Sequence, residues 1–242
     1  MQFARNAIVA GGTGLVGTEL LTLLSEENRY ARITSLVRRE MVAAGRVENR
    51  VVSFDHLDRS ELLKVDDAYC CLGTTRRAAG SDNAFRKVDF DYVLAYARAA
   101  QRAGAVRFLL VSATGANVES RFLYTRVKGQ VEAAISTLGF QVVGIARPSF
   151  LIGRRARARG GETAALVLSH AVTPFMVGPL RRFRPIEART VAAGLIHLAF
   201  SAWEGVSVLS SEEIVSAVKP ALVDEGVAPQ DSVQPNNFKH SN

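Results

Sequence analysis

The sequence predicts an α/β fold built on a doubly wound parallel sheet, and three observations predict it. Short apolar runs alternate along the chain with longer segments whose apolar residues recur at helical spacing. Some of these runs, RFLLVS above all, are apolar at nearly every position, the pattern of a strand buried on both faces. A glycine cluster, Gly11-Gly12-Thr13-Gly14-Leu15-Val16-Gly17, stands where the first run gives way to the first helical segment. At 242 residues the chain suits one large domain. Such a domain buries roughly 70–75% of its unfolded surface and needs neither disulfides nor a structural metal.

The elements follow in order. Ala4–Ala10 (ARNAIVA) reads as a strand ending on glycine, and Leu15–Leu24 as a helix, with Glu26 and Glu27 beyond it. Arg32–Val37 and Arg50–Phe54 are the second and third strands, and Glu61–Lys64 is one helical turn. Ala68–Leu72 is the fourth strand, closed by the turn signal Gly73-Thr74-Thr75. Asp82–Ala103 is a long helix stopped by Gly104, a residue favoured just past a helix end. Arg107–Ser112 is the fifth strand, Ser120–Leu138 a helix stopped by Gly139, and Gln141–Ala146 a sixth strand halted by Pro148. Right-handed crossovers put helices on both faces, and the six strands take the order 3-2-1-4-5-6.

After Pro148 the pattern changes. Glu162–Val172 and Ile186–Ala199 read as helices, Val206–Leu209 as a short strand, and Ser211–Val218 as the start of a last helix with Ser211 at its N-cap. Residues 154–220 are too few for a second domain, so they are expected to fold over the carboxyl edge of the sheet and shape a substrate pocket. Residues 1–220 then form the single domain, and 221–242, with Pro229, Pro235 and many polar side chains, read as a loose tail.

Composition narrows the function classes. Hydrophobic residues at 48% and charged residues at 22% are ordinary for a globular protein. The chain holds no apolar run of transmembrane length. The first strand-like run begins at Phe3, which leaves no room for a signal or transit peptide, so the expected compartment is the cytosol. The only two cysteines, Cys70 and Cys71, are adjacent on a strand and point to opposite faces, a poor metal site and a natural part of a buried strand. His56, His170, His197 and His240 share no metal-binding spacing. The net charge of +7 comes largely from arginine, at Arg38 and Arg39, Arg76 and Arg77, Arg154 to Arg159 and Arg181 to Arg184. Without zinc-finger spacing or an interleaved basic and aromatic stripe, nucleic acid is disfavoured, and a basic mouth that attracts a phosphorylated cofactor accounts for the charge. The Arg154–Arg159 run reads as a solvated loop.

The glycine cluster is the first candidate site. Gly11 permits the tight turn, Gly14 lets a diphosphate approach the amides around Thr13, Leu15 and Val16, and Gly17 allows close packing of the helix. Roughly 20 residues past such glycines an acidic side chain would hold the ribose 2′-hydroxyl of NAD. Here Arg38 and Arg39 follow the second strand instead. A guanidinium pairs with a 2′-phosphate that a carboxylate would repel, so NADP(H) is preferred over NAD(H). Asp55 lies beside the adenine or caps its own turn, and both readings stay open. Leu72, Gly73, Thr74 and Thr75 end the strand beside the first one, at the switch point, and should border the cofactor.

Tyr124 and Lys128 form Y-x-x-x-K on a helix, about one turn apart and so on one face. A tyrosine hydroxyl with pKa about 10 is a poor acid–base group at neutral pH, and a nearby ammonium favours its phenolate. The same lysine can hydrogen-bond the nicotinamide ribose. Ser112 ends the fifth strand at the carboxyl edge of the sheet, where its hydroxyl can orient a substrate carbonyl; Thr114 competes for that role.

Six segments carry a family resemblance: GGTGLVG, CCLGTTRRAAGS, FRKVDFDYV, FLLVSATGA, FLYTRVKGQVE and ARPSFLIG. Over Ala7–Gly153 the chain resembles the short-chain dehydrogenase/reductase superfamily, most closely the atypical group that includes the Tat-interacting-protein-type oxidoreductases. The G-x-x-G-x-x-G spacing is the variant that extended and atypical members carry. The resemblance implies a Rossmann fold, NADPH binding and a Ser-Tyr-Lys site at Ser112, Tyr124 and Lys128. It also implies that the stretch Arg147-Pro148-Ser149 borders the nicotinamide. Two departures stand out: Asp89 occupies a helix position where many relatives have asparagine, and Ala113 replaces a serine common just after the strand.

The function expected is therefore an NADP(H)-dependent oxidoreductase acting on a small carbonyl or alcohol. A redox-sensing protein that binds NADPH with little turnover is the alternative from another class, and a nucleotide-sugar epimerase or dehydratase is a third, disfavoured by the short C-terminal stretch. The expected partner is a small-molecule substrate, with no metal, no nucleic acid and no membrane span, and with homodimerisation left open.

Overall fold

The computed structural model describes residues 4–42, 45–59, 61–153, 184–201 and 203–223. Its strands are β1 (Arg5–Ala10), β2 (Tyr30–Val37), β3 (Val47–Val51), β4 (Asp67–Cys70), β5 (Arg107–Val111), β6 (Val142–Arg147), β7 (Leu151–Ile152), β8 (Ile186–Glu187) and β9 (Gly205–Ser210). Its helices are α1 (Leu15–Glu26), α2 (Arg76–Ala79), α3 (Asp82–Arg86), α4 (Tyr92–Arg102), α5 (Leu123–Ser136), α6 (Ala188–Phe200) and α7 (Ser211–Val223). Seven strands form one parallel sheet in the order β3-β2-β1-β4-β5-β6-β9, and β7 pairs with β8 apart from it. The predicted 3-2-1-4-5-6 order is thus present, with one strand added at its end.

Alternation along the strands divides the core between the two faces of the sheet. Ile8, Ala68, Cys70, Phe108 and Leu110 face α4 and α5, where Tyr96 and Ile135 cover them. Ala7, Val9, Ile33 and Leu109 face α1 and α6, where Leu20, Leu24 and Leu195 cover them. Strand order reverses beside β1, whose neighbours are β2 and β4, so a crevice opens at the carboxyl ends of β1 and β4.

At the opposite end of the sheet a polar cluster ties the strand starts together. Asp67 is fully buried and accepts from Tyr30 Oη at 2.6 Å, Arg107 Nη1 at 3.0 Å and Arg5 Nη1 at 3.3 Å. The Tyr30 and Tyr69 hydroxyls lie 2.7 Å apart. Arg5 Nη1 also donates to the Ala199 carbonyl at 2.9 Å, which anchors the end of α6. Burial, first of all, pushes the Tyr30 and Tyr69 hydroxyls well above the usual phenol range.

The structure refines several local expectations. Val206–Leu209 is a strand as expected, and β9 extends the main sheet in regular register with β6, Val143 opposite Val206 and Ile145 opposite Val208. The third strand lies earlier than Arg50–Phe54, because Phe54 and Leu57 turn under α4 as part of the core. The helical turn accordingly falls at Phe54–Arg59 and not at Glu61–Lys64. The expected helix Asp82–Ala103 is interrupted by a π-helical turn at Lys87–Asp91. Ser211 is the first residue of α7, and Ser210 holds the cap: its hydroxyl accepts from the Glu213 amide at 3.4 Å while Glu213 accepts from the Ser210 amide at 2.7 Å. Ile186–Ala199 is helical from Ala188, after the β8 pair of residues. The Glu162–Val172 helix, the Arg154–Arg159 run and 224–242 lie outside the described residues.

Candidate functional site

The first part of the site is the turn from β1 into α1. Gly11 has φ +85°, and a Cβ there would stand 2.5 Å from the Cys71 carbonyl carbon and oxygen. Only glycine lets the two strand ends approach this closely. A Cβ on Gly17 would stand 2.1 Å from Gly11 O and 2.8 Å from Gly12 Cα, so the first turn of α1 is pressed onto the loop it closes. Gly14 occupies the cap position with no side-chain hydrogen bond, and the first turn of α1 contains no acidic residue. Thr13 and Gly14 are exposed, Leu15 is half-buried and Val16 is buried. The amides at this helix opening, with the positive end of its dipole, suit a diphosphate.

The second part gathers around Asp89. This carboxylate is fully buried. Its Oδ2 accepts from the Thr74 amide at 2.8 Å and its Oδ1 forms an ion pair with Lys128 Nζ at 2.8 Å. The two oxygens thereby join the turn after β4 to α5. Lys128 is itself 4% exposed. Burial alone would lower its pKa, but the Asp89 carboxylate and the Tyr124 oxygen together outweigh it and hold the ammonium above the usual lysine range. A Cβ on Gly73 would stand 3.4 Å from Asp89 Oδ1 and 3.6 Å from Lys128 Nζ, so a side chain there would crowd the pair. Tyr124 is 39% exposed, and its ring lies 5.8 Å from that of Phe85.

Ser112 completes the arrangement just past the end of β5. Its amide donates to Ala146 O at 2.8 Å, which seats it against β6. Its hydroxyl is buried and has no hydrogen-bond partner among the described residues. A buried hydroxyl left so is uncommon, and a ligand oxygen is one way to satisfy it. Thr114, the competitor, donates to the Arg147 carbonyl at 3.1 Å, so its hydroxyl proton is already engaged.

Other expected contacts lie differently. Arg38 and Arg39 are exposed after β2, at the same edge as the glycine turn. The Asp55 carboxylate is taken by Lys87 Nζ at 2.6 Å and Tyr92 Oη at 3.0 Å, which hold it below its ordinary pKa. Leu72 is half-buried beside Gly11, and Thr75 caps α2 by accepting from the Ala78 amide at 3.1 Å. Arg147 sends its guanidinium to Glu132, with Nε 3.1 Å from Oε1, while Pro148 is buried and its carbonyl accepts from the Thr114 amide at 2.9 Å. Cys70 and Cys71 serve the core: burial pushes the Cys70 thiol up to about 12 and raises that of Cys71 as well, so neither is a nucleophile. Among the described residues no cluster of His, Cys, Asp and Glu could hold a metal ion.

Sequence reasoning singled out Asp89 as a departure from the relatives' asparagine but did not foresee its pairing with Lys128. The signal that pointed to it was a carboxylate between Val88 and Phe90, on a helix whose neighbours are apolar.

Comparisons with known proteins place the chain in a family. Residues 7–120 match the NAD dependent epimerase/dehydratase family. The chain is 38% identical to protein HTATIP2 of Rattus norvegicus over 167 residues, which cover 66% of this chain and 69% of that protein. It is 35% identical to protein FMP52, mitochondrial, of Eremothecium gossypii over 219 residues, which cover 88% of this chain and 97% of that protein. Among solved structures, human epimerase family protein SDR39U1 with NADPH superposes with a TM-score of 0.61 at 17% identity, covering 85% of this chain and 74% of that one. MoeE5 in complex with UDP-glucose and NAD does so with a TM-score of 0.61 at 15% identity, covering 89% and 81%. At such identities the two structures speak to the fold alone. The fungal relatives are named mitochondrial, which overturns the expectation of a cytosolic protein. The physical reason is that a compartment is an address read by receptors, and strand periodicity does not encode it. No helix among the described residues is long and apolar enough to cross a membrane.

Proposed function

Because the chain belongs to the NAD dependent epimerase/dehydratase family of Rossmann proteins, with HTATIP2 and FMP52 among its relatives, we propose that it is an NADP(H)-dependent oxidoreductase. Its substrate is a small carbonyl or alcohol. The observation that carries this reading is the buried, partnerless Ser112 hydroxyl at the carboxyl end of β5. Its place on the same sheet edge as an uncapped helix N-terminus, and in a chain with a lysine held charged beside Tyr124, supports the reading.

The amides of Leu15, Val16 and Gly17 hold the cofactor diphosphate, and Arg38 and Arg39 pair with its 2′-phosphate. Leu72, Gly73 and Thr74 line its path, and Arg147 and Pro148 contribute backbone to the nicotinamide side. When bound, the nicotinamide supplies or accepts a hydride. Ser112 donates a hydrogen bond to the substrate oxygen, and Tyr124 Oη gives that oxygen a proton or takes one from it. Lys128 keeps a positive charge beside the tyrosine, which favours the phenolate during proton transfer.

Two measurements test this. In titrations NADPH should bind more tightly than NADH, and Arg38→Ala or Arg39→Ala should narrow the gap by about 10-fold, the worth of one charge-assisted hydrogen bond. Equal affinities in the unaltered protein would reject the 2′-phosphate reading. Tyr124→Phe should slow turnover of any carbonyl compound the protein reduces by about 10²–10⁴-fold while NADPH affinity is unchanged. Turnover that survives intact would remove Tyr124 from the acid–base role.

A further inference from the structure

Among the described residues the aromatic rings that stand exposed are those of Phe122, Tyr124 and Phe150; every other described ring is buried or half-buried. Phe122 is 79% exposed and Phe150 67%. A single exposed apolar side chain is ordinary, but exposed rings confined to one edge of a fold mark a surface that an apolar group covers.

The backbone places the two phenylalanines on either side of Ser112. The loop that follows Ser112 is held on one flank by the segment after β6, where the Thr114 amide donates to Pro148 O at 2.9 Å. On the other flank the first turn of α5 holds it, where the Asn117 amide donates to Thr125 O at 3.0 Å. Phe150 follows Pro148 by two residues, and Phe122 stands at the N-cap of α5, three residues before Thr125. Both are fixed through their carbonyls: that of Phe122 accepts from the Arg126 amide at 3.0 Å and that of Phe150 from the Ile186 amide at 2.9 Å. Farther along the second segment, a Cβ on Gly153 would stand 3.0 Å from Leu15 Cδ1. The stretch that carries Phe150 therefore runs from the serine loop to the opening of α1, between the substrate and cofactor sides of the site.

The hydroxyls and guanidinium groups around the same loop are engaged within the protein. Thr114 Oγ1 donates to Arg147 O at 3.1 Å, and Ser149 Oγ donates to the Arg184 carbonyl. The Ser120 and Thr125 hydroxyls lie 2.6 Å apart, and Arg126 Nη1 donates to Ser120 O at 2.8 Å. The Ser112 hydroxyl, by contrast, has no partner among the described residues, and uncovered phenyl rings flank its loop. A polyhydroxylated molecule needs a partner for each hydroxyl it buries, which a phenyl face does not supply.

We propose that Phe122 and Phe150 are specificity-determining residues that take the apolar body of the substrate, and that the substrate is an aryl or branched-alkyl carbonyl compound in preference to a polyhydroxylated one. The proposal rests on the oxidoreductase reading for the reaction, with Ser112 and Tyr124 at the carbonyl oxygen, and adds the chemistry of the group attached to it. A ring of this size gains enough from burial against an apolar ligand to set a selectivity of 10-fold or more by itself.

The test uses the full-length protein with NADPH and two aldehydes, 2-naphthaldehyde and glyceraldehyde. Turnover is followed by NADPH absorbance, and 2-naphthaldehyde binding in the presence of NADP⁺ by calorimetry. The expected kcat/KM is about 100-fold higher for the naphthyl compound, from two rings each worth about 10-fold. Phe122→Ala and Phe150→Ala should each lower that selectivity about 10-fold, through KM and with little change in kcat, because the ring contact is the same in the ground and transition states. Phe122→Leu and Phe150→Leu should restore most of it, since an apolar side chain remains. Equal kcat/KM for the two aldehydes, or alanine variants that keep the full selectivity, would overturn the proposal and leave the oxidoreductase reading standing. Naphthaldehyde that binds through both rings but is not reduced would support the apolar site and refute the oxidoreductase reading. A protein that neither binds nor reduces it would overturn the proposal outright.

Discussion

Asp67→Ala is expected to lower stability by about 3 kcal/mol, read as a shift of the urea midpoint at pH 7. The carboxylate lies at the start of β4 with no exposed surface, and it serves Tyr30, Arg107 and Arg5 at once. Removing one partner of a buried ion pair is more damaging than the pair is worth, because the remaining charge keeps its desolvation without its compensation. The figure belongs at the lower end of the usual range, since the Arg5 and Arg107 side chains are 22% and 23% exposed and water can reach them. The Tyr30 hydroxyl has no such recourse, being fully buried with Tyr69 as its other neighbour.

The same cluster sets the alkaline limit. Burial raises both tyrosine hydroxyls in the folded state, so the folded chain retains protons that the unfolded chain has released. Their contribution is fully present below the ordinary phenol value of about 10 and is lost as pH rises from there toward the folded values. Tyr30→Phe should flatten the fall in midpoint above pH about 10. A loss under about 1 kcal/mol for Asp67→Ala would show that water replaces the carboxylate and that the cluster contributes little.

Gly17→Ala is expected to abolish cofactor binding and to lower stability by about 3 kcal/mol. The added Cβ would stand 2.1 Å from Gly11 O and 2.8 Å from Gly11 C and Gly12 Cα. Each of these atoms is backbone, so no side chain can swing away, and α1 has to lift off the turn. Gly11 lies against Cys71 and Leu72 in turn, so the displacement reaches the fourth strand. Gly45→Ala is the control for helix-independent effects: residue 45 has φ +59°, and its Cβ would meet nothing closer than Ser25 Cβ at 3.6 Å. Its substitution should leave NADPH affinity unchanged while carrying the strain of a left-handed residue. Should Gly17→Ala bind NADPH as well as the unaltered protein, the diphosphate site would have to lie elsewhere.

Much of the site was legible because its parts are local. The glycine turn could be placed from residues 11–17 together with the strand and helix on either side. Tyr124 and Lys128 share a helix face by spacing, and Ser112 follows from the end of an apolar run. The partners that these groups take were not legible. Spacing suggested that Lys128 acts on Tyr124, whereas its ammonium pairs directly with Asp89, a residue from another helix. Arg147 was expected beside the nicotinamide through its segment, and its guanidinium is turned to Glu132 on α5. The compartment was misjudged because no periodicity reports it.

By itself the chain determined what depends on near neighbours: which runs become strands, which faces are apolar, where glycine ends a helix, and hence a parallel sheet with helices on both sides. The tertiary structure alone decided which charges meet and which strand lies at the edge. β9 joins β6 only because residues 205–210 find an unpaired ladder of the right direction beside them. Asp89 meets an ammonium only because α5 brings Lys128 to it. A buried charge is stable in one position and prohibitive in the next, and that difference is set by groups far away along the chain.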